Sequence, residues 1–111
     1  MSIKKYYQLG KKVLYPICRS LTGAGVRKTL RVIKQEFPEL KIKNISSGSK
    51  VFDWKVPPEW NIDNAYVLDK DNKKIIDFKK NNLHLVGYSI PIDKVVSKKE
   101  LLDKIQVLPK Q

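Results

Sequence analysis

Apolar residues along this chain follow two different rhythms, and the change falls near Phe37-Pro38. Before it, Leu9, Val13 and Ile17 recur every four residues, with Tyr6 and Leu14 alongside. That spacing puts one apolar stripe on a helix. Pro16 lacks an amide proton and crowds the preceding turn, so the helix is expected to kink or end near Tyr15. Residues 20–25 (SLTGAG) read as a loop. A second helix is expected next, with Val26, Leu30, Ile33 and Phe37 on one face and Arg27, Lys28, Arg31 and Lys34 opposite, stopped by Pro38. Two such helices bury little against each other and need something further to pack on.

Beyond Pro38 the period is two. Leu40 and Ile42 alternate with lysines, and Phe52, Trp54 and Val56 alternate with Asp53 and Lys55. Residues 65–68 (AYVL) predict a strand, 69–72 (DKDN) a turn by composition, and 74–78 (KIIDF) its hairpin partner. Residues 83–90 (LHLVGYSI) predict another strand, ended by Pro91. Ser97 and Glu100 have the S-x-x-E form of a capping box, which would start a short helix carrying Leu101, Leu102 and Ile105. Leu108-Pro109-Lys110-Gln111 adds no terminating element. The fold class expected is α+β: two N-terminal helices, then a small, mainly antiparallel β domain with a short C-terminal helix. The division expected is 1–38 and 39–111.

Composition changes this picture in a few places. Apolar residues make up 41% of the 111, which argues against disorder despite 31% charged residues. No apolar run approaches the ~20 residues of a membrane span, and the basic N-terminus has no apolar core after it, unlike a signal peptide. Cys18 is the only cysteine, so no internal disulfide forms, and a cytoplasmic location is the default expectation. The net charge of +12 would suit nucleic acid or an anionic surface. However, only Arg19, Arg27 and Arg31 among the 23 bases are arginines, the residue suited to bidentate reading of phosphates and bases. The lysines are also scattered, so a solvated surface is preferred to a nucleic-acid face.

Candidate chemistry is sparse. A catalytic zinc needs about three protein ligands, and His84 is the only histidine, inside an expected strand. A packed or hydrogen-bonded structural role is the simpler expectation for it. Cys18 beside Arg19 could have a lowered pKa if exposed, but a buried, inert thiol is preferred. Thr22, Gly23 and Gly25, in the loop ahead of a helix, could cradle an anion or simply form a tight turn. The run 51–60 (VFDWKVPPEW) is the most distinctive stretch. Its Pro-Pro pair forces the chain out of any sheet. Trp54, Glu59 and Trp60 could then form a rigid rim facing a ligand or another domain, or Trp60 could fold back as a corner over the core.

Residues 15–27 (YPICRSLTGAGVR) resemble the opening signature of a bacterial and archaeal aminopeptidase-like family. Residues 51–66, residues 82–91 (NLHLVGYSIP) and the closing Leu108-Pro109 resemble a domain inserted into that family's fold. The matches are collinear over nearly the whole chain. The resemblance implies the N-terminal part of a zinc exopeptidase-like protein, interrupted early by the β-rich insertion. Dinuclear zinc, its ligands, the general base and the hydrolysis of a peptide-like substrate would belong to the remainder of the peptidase domain, in cis or in trans. It carries no catalytic or metal residue onto this chain, and hence no cofactor. Arg19, Thr22 and Gly25 become candidates for shaping the cleft, and the chain alone is expected to be inactive, acting as a lid or interaction domain. The rival reading is a free-standing basic module that binds nucleic acid or polysaccharide.

Overall fold

A computed structural model describes residues 2–107 and Pro109. Helix α1 spans Ile3–Leu9, with Ser2 as its N-cap, and runs directly into a π-helical turn, Gly10–Leu14. The Tyr15 amide closes that turn on the Gly10 carbonyl at 2.8 Å. Pro16 offers no amide to continue it, so the helix stops at the residue the sequence indicates. Helix α2 spans Ala24–Glu36. It lies antiparallel to the first: Lys5 pairs with Glu36 at 2.9 Å, Tyr6 stacks on Phe37 at 6.1 Å, and Arg19 bridges the Leu14 carbonyl and the Thr29 hydroxyl at 2.8 and 3.2 Å. Gly25 belongs to the first turn of α2, which starts two residues earlier than the pattern of apolar positions suggested.

The β part consists of two small antiparallel pairs. Strands β1 (Lys50–Val51) and β2 (Trp54–Lys55) form a minimal hairpin, and β3 (Tyr66–Leu68) pairs with β4 (Lys74–Asp77). The 69–72 turn is built as its composition predicts: the Asp69 carboxylate accepts from the Asp71 and Lys73 amides, and Asn72 takes the left-handed conformation. Helix α3 (Lys98–Leu102) starts at the expected cap, where the Ser97 hydroxyl accepts from the Glu100 amide at 3.1 Å. The fold is α+β with this order of elements, as expected.

Three expectations fail locally. Residues 51–56 are not one strand, because the chain reverses at Phe52 (φ 54°) and Asp53. Leu40 and Ile42 lie in irregular chain. Residues 83–90 form no strand: the Asn81 side chain captures the Leu83 amide at 3.0 Å and winds Asn82–His84 into a 3-10 turn. Leu108, Lys110 and Gln111 of the expected closing loop lie outside the described residues.

Most telling is how little is buried. Ile17 and Val56 are the only buried apolar residues described, while Ile3, Leu21, Phe52, Leu83, Val86, Ile90, Ile92, Val95 and Val107 each expose more than two thirds of their surface. The accessible area is 10217 Å², against about 6,300 Å² for a compact monomer of this mass. The radius of gyration is 18.1 Å, against about 13 Å for a compact domain of this length. The excess is surface that the described residues do not bury against one another.

Candidate functional site: the interlock around Trp60

The loop that precedes α2 and the bend after β2 grip each other through backbone groups. Pro57 and Pro58 take the chain out of the β1–β2 hairpin and deliver residues 58–61 against residues 20–24. The Ser20 hydroxyl lies 2.6 Å from the Thr22 carbonyl and 2.9 Å from that of Trp60. The Trp60 amide donates to the Thr22 carbonyl at 3.2 Å, and the Thr22 hydroxyl reaches the Pro58 carbonyl at 3.4 Å. The Ala24 amide, a free donor at the start of α2, donates to Oδ1 of Asn61 at 2.7 Å. Asn61 thus caps a helix 37 residues away in sequence. The anion-cradle reading of this loop is weakened, because a side chain already takes one of the amides an anion would need.

Gly23 and Gly25 both stand where other parts of the chain approach closely. An added Cβ at Gly25 would lie 1.9 Å from the Cys18 carbonyl oxygen. At Gly23 (φ 153°) it would meet Asn61 Oδ1 and the Trp60 carbonyl at 2.8 Å.

Trp60 packs against the 83–90 segment. Its indole N–H donates to the Ser89 carbonyl at 2.9 Å, and its ring meets Tyr88 at 6.1 Å. Tyr88 in turn reaches the Pro58 carbonyl at 3.4 Å. The rigid Pro-Pro arm therefore binds the helical loop on one side and the 83–90 segment on the other. Glu59 forms a two-pronged ion pair with Arg27 of α2, one prong at 3.1 Å. Hydrogen bonding from Arg27 holds the Glu59 carboxyl below its usual range, and hydrogen bonding to Glu59 raises the guanidinium. A carboxylate with a lowered folded-state pKa stabilises the fold above its unfolded value and stops doing so as pH falls through the lowered one. The Glu59→Gln variant should accordingly show a small melting-temperature deficit at neutral pH that shrinks as pH falls through the lowered folded-state value, where wild-type Glu59 itself becomes neutral. A deficit that is constant from pH 7 to pH 3 would contradict this.

The remaining candidates do not join this cluster. Arg19 ties the end of the π turn to α2. Trp54 is half exposed on the small hairpin. His84 sits exposed on the 3-10 turn, its Nδ1 3.3 Å from the Asp77 carbonyl. Cys18 is half-buried beside a cavity of about 210 Å³ bordered by Ser20, Asn61 and Asp63, and His84 is not among its lining residues. Among the described residues, no group of three or more His, Cys, Asp or Glu side chains is placed to hold a metal ion. Ser20, Asn61 and Ser89 were not singled out by sequence, since nothing local marks a partner so far along the chain.

What the geometry defines is an interlocked α+β lobe with many exposed apolar residues. The chain belongs to the family described as Domain of unknown function (DUF4910), whose model matches residues 7–106. It is 51% identical over 96 residues to a Clostridium acetobutylicum protein provisionally named a polysaccharide biosynthesis protein with aminopeptidase-like domain, a match covering 86% of this chain and 22% of that one. A crystal structure of a protein from the same organism, provisionally titled a peptidase, superposes with a TM-score of 0.82 at 45% identity, covering 96% of this chain and 28% of that one. The chain thus spans between a fifth and a third of the relatives it matches. No helix among the described residues is long and apolar enough to cross a membrane.

Proposed function

We propose that this chain is the non-catalytic N-terminal lobe of an aminopeptidase-like, zinc-dependent hydrolase acting on an N-terminal peptide-like amide in the cytoplasm. In this reading residues 1–38 supply the first helices of the peptidase-like domain. Residues 39–111 form the inserted β-rich domain, a lid or interaction surface beside the cleft. The observation that carries it is the combination of a 0.82 TM-score with a solved relative and the small share of that relative, 28%, which this lobe occupies. Zinc would polarise the scissile carbonyl and activate water, and its ligands would come from the remainder of the hydrolase. The part of this chain is to hold the Ser20–Trp60–Asn61 interlock rigid and to present its apolar surface for packing.

The test uses the isolated chain and a graft, in which this chain replaces the matching segment of the Clostridium acetobutylicum protein. Both are assayed with added zinc on aminoacyl amides. Turnover by the graft that a chelator abolishes, with none from the isolated chain, is the expected result. Chelator-sensitive turnover by the isolated chain would falsify the reading. The charge of +12 favours a second reading, a basic module for nucleic acid or polysaccharide. Tight, salt-sensitive binding of either polymer by the isolated chain at physiological ionic strength would favour that alternative.

A further inference from the structure

The first helix is apolar on two faces. One faces α2: Lys5 pairs with Glu36, Tyr6 stacks on Phe37 and Leu9 is half-buried. The other carries Ile3, Tyr7, Lys11 and Tyr15 at steps of four, with Ile3 88% exposed and both tyrosines 62% exposed. Gly10 lies between the tyrosines, and Tyr7, Gly10, Lys11 and Tyr15 line a shallow groove along the π turn. A Cβ added at Gly10 would meet nothing within 4 Å, so packing within this chain does not require that glycine. Helices apolar on both sides are buried on both sides, and π turns are frequent at functional positions.

Charge narrows the occupant. Lys11 lines the groove, Lys4 and Lys12 lie on the same helical segment, and none of the three has a carboxylate partner among the described residues. A second copy of a chain with net charge +12 would set these lysines against more lysines. The solved relative holds the same fold within a chain more than three times its extent. Resting on the functional reading above, we propose that the Tyr7–Gly10–Tyr15 groove docks onto the hydrolase remainder, on an apolar ridge whose rim carries carboxylates facing Lys4, Lys11 and Lys12. Gly10 is the point where that ridge reaches the helix backbone, so a side chain there blocks docking and leaves the lobe itself intact.

Tyrosine nitration on the graft tests this. Tyr7 and Tyr15 should react at least about tenfold more slowly in the native graft than in the same protein unfolded. Gly10→Leu, and separately Lys11→Glu with Lys12→Glu, should restore their reactivity and lower the graft's melting temperature by about 5 °C. In the isolated chain Gly10→Leu should leave the circular dichroism spectrum unchanged. Tyrosines that react in the folded graft as fast as in the unfolded protein overturn the proposal, as does protection that appears only when a short oligothymidylate is added. Reactive tyrosines in a graft with chelator-sensitive turnover would sink the docking alone. Protected tyrosines in a graft without turnover would sink the functional reading alone.

Discussion

Replacing Gly25 by alanine is expected to unfold the isolated chain at temperatures where the wild type is folded. The new methyl group would sit 1.9 Å from the Cys18 carbonyl oxygen, well inside contact distance. All three nearest atoms, on Cys18 and Arg19, are backbone, so no side chain can swing away. Relief requires α2 to slide off the loop, which breaks the Ser20, Thr22 and Asn61 hydrogen bonds that define the interlock. Overpacking a tight site costs about 1–3 kcal/mol even when neighbours can adjust, and here they cannot. A loss of about 3 kcal/mol or more is expected by urea denaturation. Gly10→Ala is the control, because its added Cβ meets open space in a helical conformation. It should be neutral or slightly stabilising in the isolated chain, since alanine favours helix over glycine by about 1 kcal/mol. Equal, small effects at the two glycines would show that the loop and helix do not meet as described.

The second large effect is expected at Trp60. Truncation to alanine removes the ring from its contact with Tyr88 and leaves the Ser89 carbonyl without its donor. Buried Trp→Ala changes cost about 3–5 kcal/mol. Trp60 is only half-buried, so about 2–3 kcal/mol is expected, by the same area argument. Trp60→Phe separates the two contributions: it keeps most of the ring and deletes the N–H, at a cost of about 1 kcal/mol. Amide exchange should accelerate in residues 83–90 for both variants, because Trp60 holds Tyr88 and Ser89 of that segment. An unchanged exchange pattern there in Trp60→Ala would mean that the segment is held by something else.

The elements legible in the sequence are those closed by local chemistry. Helix α2 has its apolar stripe and its Pro38 stop, the β3–β4 hairpin its DKDN turn, and α3 its Ser97–Glu100 cap. Each signal acts within a few residues, so no knowledge of the tertiary fold is required. The misread stretches lacked such closure. Alternation in 51–56 suggested one strand, but a two-residue reversal sits inside it, at Phe52-Asp53, without the Asn-Gly or Gly signal that marks most tight hairpins. Residues 83–90 carry strand-like residues but no neighbouring strand, and one Asn81 side chain was enough to wind Asn82–His84 into a 3-10 turn. The interlock itself was only half visible. Trp60 and the two glycines stood out by residue type. Their partners Ser20 and Asn61 did not, because a serine or asparagine becomes a cap only when distant chain is brought to it. The exposed apolar residues are the clearest sign left over: the sequence has enough of them for a core, and the chain by itself does not enclose one.

That surplus makes hydrogen exchange of the α2 amides, Ala24–Glu36, the most direct test of whether a larger hydrolase completes this lobe. The comparison is between the isolated chain and the Clostridium acetobutylicum graft under identical conditions. If the remainder of the hydrolase covers the open surface, the α2 amides should exchange at least about a hundredfold more slowly in the graft, reflecting nearly 3 kcal/mol of added local stability. Equal protection in the two proteins would contradict the account, because it would mean that the chain encloses its core unaided.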